Sequence, residues 1–131
     1  MSPVRVLVVE DEADLCHLIC RYLRRLGYDV TTARSGEEAW TAISSGCRAF
    51  DLYLIDVTLP GLPGDELAER IVRGNPSAKI ILSSGYTPDW QEREPGRAFI
   101  RYLQKPYQPK QLADMLQAVA GERDSLAPDL P

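Results

Sequence analysis

The chain is predicted to fold as one doubly wound α/β domain around a parallel five-stranded sheet. Three observations predict it. Five short runs of aliphatic and β-branched residues recur along the 131 residues. Most are nearly unbroken, as strands buried on both faces require. Segments with helical spacing or helix-start signals lie between most of the runs, and such alternation gives a parallel sheet.

The first run is Val4-Arg5-Val6-Leu7-Val8-Val9. Leu15, Leu18, Ile19, Tyr22, Leu23 and Leu26 follow at spacings of 3, 1, 3, 1 and 3. They form one stripe of an amphipathic helix and are its expected core face. Gly27 stands where a C-terminal cap belongs. Tyr28 to Ala33 reads as the second strand. Ser35 and Glu38 fit a capping box, and Ala39, Trp40, Ala42 and Ile43 give the next helix its apolar side. Leu52-Tyr53-Leu54-Ile55 is the third strand, ending at Asp56 before the turn Leu59-Pro60-Gly61-Leu62-Pro63-Gly64. Glu66 to Val72 reads as a helix, Lys79 to Ser83 as the fourth strand and Phe99 to Leu103 as the fifth. Pro109 suits the first turn of a last helix running to Ala120.

Between the fourth and fifth strands, Pro88 can start a helix, but Pro95 and Gly96 stop it within two turns. A short or irregular fourth helix is expected there. The whole is a flavodoxin-like (βα)5 arrangement. The domain is expected over residues 1–120. Residues 121–131 are polar and proline-containing and read as a loose tail or linker stub.

Hydrophobic residues make up 44% of the chain and the formal net charge is −4. An acidic balance argues against a nucleic-acid partner. No apolar run approaches a membrane span, so no membrane contact is expected. Met1-Ser2-Pro3 leads straight into a strand, without a signal peptide. Cys16, Cys20 and Cys47 are an odd set without metal-type spacing, which points to a reducing, cytoplasmic location. Cys16 and Cys20 are expected as partly exposed bystanders beside the core stripe. His17 reads as a solvated surface residue, Trp40 as packing and Trp90 as a candidate contact.

In doubly wound sheets the ligand site lies beyond the carboxyl ends of the strands. Glu10, Asp11 and Glu12 follow the first strand, Asp56 the third, Ser84 and Gly85 the fourth, Lys105 and Pro106 the fifth. If these strands are neighbours, the three carboxylates of Glu10, Asp11 and Asp56 converge with a hydroxyl and an ammonium. Two unit charges about 4 Å apart repel by about 4 kcal/mol at an effective dielectric of 20. Such crowding needs cations: Lys105, and a hard divalent ion such as Mg²⁺. An ion of that kind also neutralises phosphoryl oxygens, and a carboxylate beside it can attack phosphorus. The residues themselves suggest Mg²⁺-dependent phosphoryl transfer to a carboxylate.

Taken in order, Val8-Val9-Glu10-Asp11-Glu12, Leu54-Ile55-Asp56 with Pro60 and Gly64, Ser84-Gly85 and Lys105-Pro106 resemble the signature of response-regulator receiver domains over about residues 4 to 120. The resemblance implies a phosphorylation-dependent switch in a two-component phosphorelay, a signalling protein rather than an enzyme. It implies that Asp56 accepts the phosphoryl group from phosphohistidine on a histidine kinase or histidine phosphotransfer protein. Asp11, Asp56 and the backbone carbonyl of Thr58 would bind Mg²⁺, with Glu10 helping through water. Ser84 would hydrogen-bond one phosphoryl oxygen and Lys105 would pair with another. Tyr102 matches the switch aromatic, and the bond before Pro106 would be cis. The chain departs from the pattern at Leu59, where Met is usual, at Pro63, where an acid or amide is usual, and at Ser84-Gly85-Tyr86, where Thr-Ala is common. Similar Ser-Gly-Tyr segments occur in receivers of hybrid kinases and in some single-domain regulators, and either origin fits. Tyr86 and Thr58 fall at positions that tune phosphoryl lifetime.

Three other functions fit less well. A haloacid-dehalogenase-type phosphatase needs Asp-x-Asp after its first strand. A flavodoxin-like cofactor binder needs a hydroxyl- and glycine-rich loop where this chain has three acids. A pseudo-receiver acting only by contact would not need the intact acid set and Lys105.

Overall fold

The computed structural model describes residues 3–46, 49–85 and 100–126, with side chains up to residue 120. Five strands form one parallel sheet: β1 (Arg5–Val9), β2 (Asp29–Ala33), β3 (Leu52–Asp56), β4 (Ile80–Ser84) and β5 (Ile100–Gln104). Their spatial order is β2-β1-β3-β4-β5. Four helices are described: α1 (Ala13–Arg25), α2 (Gly36–Ser44), α3 (Gly64–Gly74) and α4 (Pro109–Leu126). This is the flavodoxin-like arrangement that the sequence predicts. Residues 86–99, where a short fourth helix was expected, lie outside the described residues, and with them Tyr86 and Trp90. Cys47 lies outside them too.

Strand side chains alternate between two cores, which explains the unbroken apolar runs. Leu7, Val9, Tyr53, Ile55, Ile80 and Leu82 face one core with Leu67, Ala68 and Ile71 of α3. Val6, Val8, Leu52, Leu54 and Ile81 face the other, with α1 and with Leu112, Leu116 and Val119 of α4. Helices on both faces leave no strand face for water, so period-two alternation of polarity disappears. Local signals act as the sequence suggests. Gly27 has φ +101°, and its N–H donates to the Arg24 carbonyl as the chain leaves α1. Ser35 Oγ accepts from the Glu38 N–H at 3.0 Å. Glu38 Oε1 accepts from the Arg34 N–H at 2.9 Å, one residue before the cap. Trp40 packs against the first core with the Arg70 guanidinium over its ring.

Three expectations need correction. The buried face of α1 is Cys16, Ile19, Cys20 and Leu23, while Leu18 and Leu26 are 64% and 48% exposed. The apolar stripe is wider than the face the sheet can cover, and packing selects its Cys-bearing side. Cys16 and Cys20 are therefore buried free thiols rather than partly exposed ones; cysteine packs as a small hydrophobe. Finally, α4 continues to Leu126, past Ala120. Gly121 costs a helix only about 1 kcal/mol, and Glu122 and Arg123 favour it.

Gly64 fixes the start of α3 against the end of β3. Its N–H donates to the Val57 carbonyl at 2.9 Å. A Cβ there would lie 2.8 Å from Val57 Cα and closer still to the Asp56 carbonyl oxygen. Replacing Gly by Ala inside a helix is usually worth about 1 kcal/mol of stability. Here the sign should reverse: Gly64→Ala is expected to lose about 1–3 kcal/mol in urea unfolding, because neither backbone atom can retreat from the added carbon.

Burial pushes the Cys20 thiol from its ordinary 9.0 up to about 11, with Cys16 adding to the shift. Burial raises Cys16 as well. The unfolded chain thus ionises these thiols first. Their contribution to stability is complete below about pH 9 and is lost as pH rises through the folded value. Buried Tyr28 and Tyr53 shift in the same direction. Urea midpoints should fall between pH 9 and 11, and fall less steeply in Cys20→Ala.

Candidate functional site

The chain turns back in opposite directions on either side of the β1–β3 pair, because β1 leads outward to β2 and β3 leads outward to β4. A crevice opens at the carboxyl ends of such a pair, where the following loops diverge. Glu10 follows β1 and is tied to β2 by its N–H, which donates to the Ala33 carbonyl at 3.0 Å. Asp56 is the last residue of β3. Both are buried, with 3% and 5% exposure. Asp11 is exposed at the rim. One carboxylate oxygen from each of Glu10, Asp11 and Asp56 lies within 4.8 Å of the others.

Lys105 reaches in from the turn after β5, and Pro106 follows it through a cis peptide bond. Its Nζ lies 3.1 Å from Asp56 Oδ2 and 3.4 Å from Glu10 Oε1. The Thr58 N–H donates to Asp56 Oδ1 at 3.1 Å, so each Asp56 oxygen has a donor. The Glu12 N–H donates to Glu10 Oε2 at 3.2 Å, which curls that side chain back over the β1 end. Ser84 ends β4 and is buried, and its carbonyl accepts from the Lys105 N–H at 2.7 Å. This bond extends the β4–β5 pairing by one rung to Lys105. Tyr102, on β5 beside Leu82, is partly buried against the α2–α3 core.

Three carboxylates face one ammonium, and the electrostatics record the imbalance. Burial raises the pKa of Glu10, the Asp56 charge raises it further, and Lys105 only partly opposes them. For Lys105, burial alone favours the neutral amine. Its hydrogen bond to Asp56 and the charges of Glu10 and Asp56 outweigh that and raise its pKa. Lys105 therefore stays a cation. The donors are hard oxygens with a surplus of negative charge, and one of them faces solvent. That set could hold a metal ion that prefers oxygen ligands and keeps some of its water.

Glu10, Asp11, Asp56 and Lys105, named from the sequence, are thus brought together. Tyr107 was missed. It lines a groove between α1 and α4 with Leu15 and Pro109. Burial raises its pKa, and the charges of Glu10 and Asp56 add to the shift. The strand-end rule would have reached it two residues past Lys105. His17 is exposed on α1, away from the acids, as read from the sequence.

Because the charged form of Glu10 is disfavoured without a divalent ion, Glu10→Gln should raise the urea midpoint of the metal-free protein at pH 7. It should also shrink the further rise that a divalent cation produces.

The chain is similar to known proteins in sequence and in fold. A family model described as response regulator receiver domain matches residues 6–117. The sensor kinase CckA of Brucella abortus is 33% identical over 120 residues, covering 91% of this chain and 13% of that protein. This chain spans 47% of the transcriptional regulatory protein TcrA of Mycobacterium tuberculosis, so it spans under two thirds of these relatives. Among solved structures, a CheY-like receiver domain protein from Methanospirillum hungatei superposes with a TM-score of 0.84 at 27% identity, covering 95% of this chain and 98% of that one. The response regulator TrrA of Thermotoga maritima, solved in complex with Mg²⁺-BeF, gives 0.76 at 31% identity, covering 88% and 98%. With its acid cluster, its lysine and its sheet order in place, the chain belongs to the response regulator receiver domain family of two-component signalling.

Proposed function

We propose that Asp56 is the phosphoacceptor of this receiver and that Glu10, Asp11, Asp56 and the Thr58 carbonyl hold Mg²⁺ beside it. One observation carries the proposal. Lys105 Nζ bridges the buried carboxylates of Asp56 and Glu10 at the sheet's switch point, and Asp56 is the acid that itself closes a strand, its two oxygens held by the Thr58 N–H and by Lys105.

Bound Mg²⁺ supplies positive charge for phosphoryl oxygens. The chain's own groups do the rest. The Thr58 N–H and Lys105 orient the Asp56 carboxylate. An Asp56 oxygen forms the bond to phosphorus as the bond from phosphorus to the donor's imidazole nitrogen breaks. The electron pair of that bond stays on the nitrogen. The new group carries about −1.5 to −2 charge. Lys105 then pairs with one of its oxygens and the Ser84 hydroxyl donates to another. Their inward movement favours a buried Tyr102 rotamer, a shift between two existing populations. The chain is itself the substrate of this transfer, so it acts as a signalling switch and not as an enzyme on an outside molecule.

The donor is a histidine kinase or a histidine phosphotransfer protein. Such a partner has to sit on the rim of the cleft. The groove between α1 and α4, bounded by Leu15, Leu18, Tyr22, Tyr107 and Leu112 with Arg21, Arg24 and Arg25 beside them, offers that partner a surface. Two buried free thiols suit a reducing cytoplasm, where we place the switch. Among the described residues no helix is long and apolar enough to cross a membrane.

Intact-mass analysis after incubation with acetyl phosphate tests the proposal. One phosphoryl adduct is expected with Mg²⁺, little without it, and none in Asp56→Asn. An adduct that persists in Asp56→Asn would move the acceptor elsewhere.

A further inference from the structure

We infer that Glu37, on α2, is a positioning residue for the loop that carries Asp56 into α3. This role rests on the proposed function and adds a residue outside the acid cluster. Glu37 is exposed in the first turn of α2, where any acid is favoured by the helix dipole. A dipole alone leaves the carboxylate free to point into water. Instead, Glu37 Oε2 accepts the Leu62 N–H at 2.9 Å, across 25 residues of chain. Capping of α2 falls to Ser35 and Glu38, so Glu37 is not needed for that.

The surroundings are built for this contact. Gly61 has φ +73°, and a Cβ there would lie 2.9 Å from Glu37 Oε1. Gly36, next to Glu37, lets α2 approach Leu62: a Cβ at 36 would lie 2.9 Å from Leu62 Cβ. Leu62 is itself buried. The loop is thus tied twice. Near Asp56 it is held by the Thr58 N–H on Oδ1 and by the Gly64 N–H on the Val57 carbonyl. At its far half it is held by Glu37. Thr58, whose carbonyl is a proposed metal ligand, belongs to the first tie, and the chain from it runs on to the second at Leu62. Releasing the second lets the loop sample geometries in which that carbonyl and the Asp56 carboxylate no longer converge.

Three variants separate reach from charge. Glu37→Ala removes both. Glu37→Asp keeps the charge at the helix start but is one methylene too short. Glu37→Gln loses the charge and keeps an oxygen at the same reach. The measurements are Mg²⁺ affinity by calorimetry, the exchange rate of the Leu62 amide by NMR, and the acetyl phosphate reaction, with urea midpoints as the control for the fold. Glu37→Ala and Glu37→Asp should expose the Leu62 amide to exchange and weaken Mg²⁺ binding by about five- to tenfold, the scale of one lost hydrogen bond. Glu37→Gln should stay close to the native protein in both. If Glu37→Asp behaves as native and Glu37→Gln does not, the residue serves only the helix dipole. If urea midpoints fall while Mg²⁺ affinity and Leu62 exchange hold, its role is merely structural. Either result overturns the inference. A native protein that takes no phosphoryl group would instead overturn the proposed function, while the affinity and exchange measurements would still decide whether Glu37 sets the loop.

Discussion

Mutual repulsion of Glu10, Asp11 and Asp56 is the constraint on which the rest of the structure depends. Carboxylates this close, two of them buried, are held together only against their own Coulomb energy,. Lys105 offsets part of it and leaves a surplus of negative charge. That surplus is what a divalent ion can neutralise. It also explains the backbone N–H groups of Thr58 and Glu12 aimed at the acids. A carboxylate with each oxygen occupied by a donor has few orientations to lose.

Holding such a site open takes a stiff frame. A parallel sheet covered on both faces supplies one, since every strand around the cleft is fixed by neighbours and by two cores. The connections are where stiffness has to be built separately. Gly64 lets α3 begin directly against the end of β3, and Gly61 and Gly36 let α2 lie close to the same loop. The contacts converge on the short segment after Asp56. The groove between α1 and α4 beside Tyr107 lies on the opposite face of the sheet from that segment's contacts with α2.

Much of this was legible in the sequence because strands buried on both faces carry an unmistakable apolar signature. Strand ends then label themselves: an acid after Val9, an acid after Ile55, Ser84 after the fourth run and Lys105 after the fifth. The errors arose where several sequence positions competed for one buried surface. Six apolar residues on α1 could not all reach the sheet. The register that buries Cys16 and Cys20 left Leu18 and Leu26 in solvent. The helical course of residues 121–126 was hidden for a different reason, since a single glycine is a weak stop when good helix formers follow,.

By itself the sequence determined the fold class, the run of strands and helices, and the acids, serine and lysine that would stand at strand ends. These are properties of local pattern, and a period or a terminal residue can be read without knowing its neighbours. Only the tertiary structure decided distances and partners. It brought β1 beside β3, so that Glu10 and Asp56 share one lysine, and it bent that lysine in from β5, two strands from β3. It laid Glu37 on the Leu62 amide and Tyr107 near the acids. Such contacts join residues 25 to 95 positions apart, and their existence depends on strand order and register, which no single segment carries.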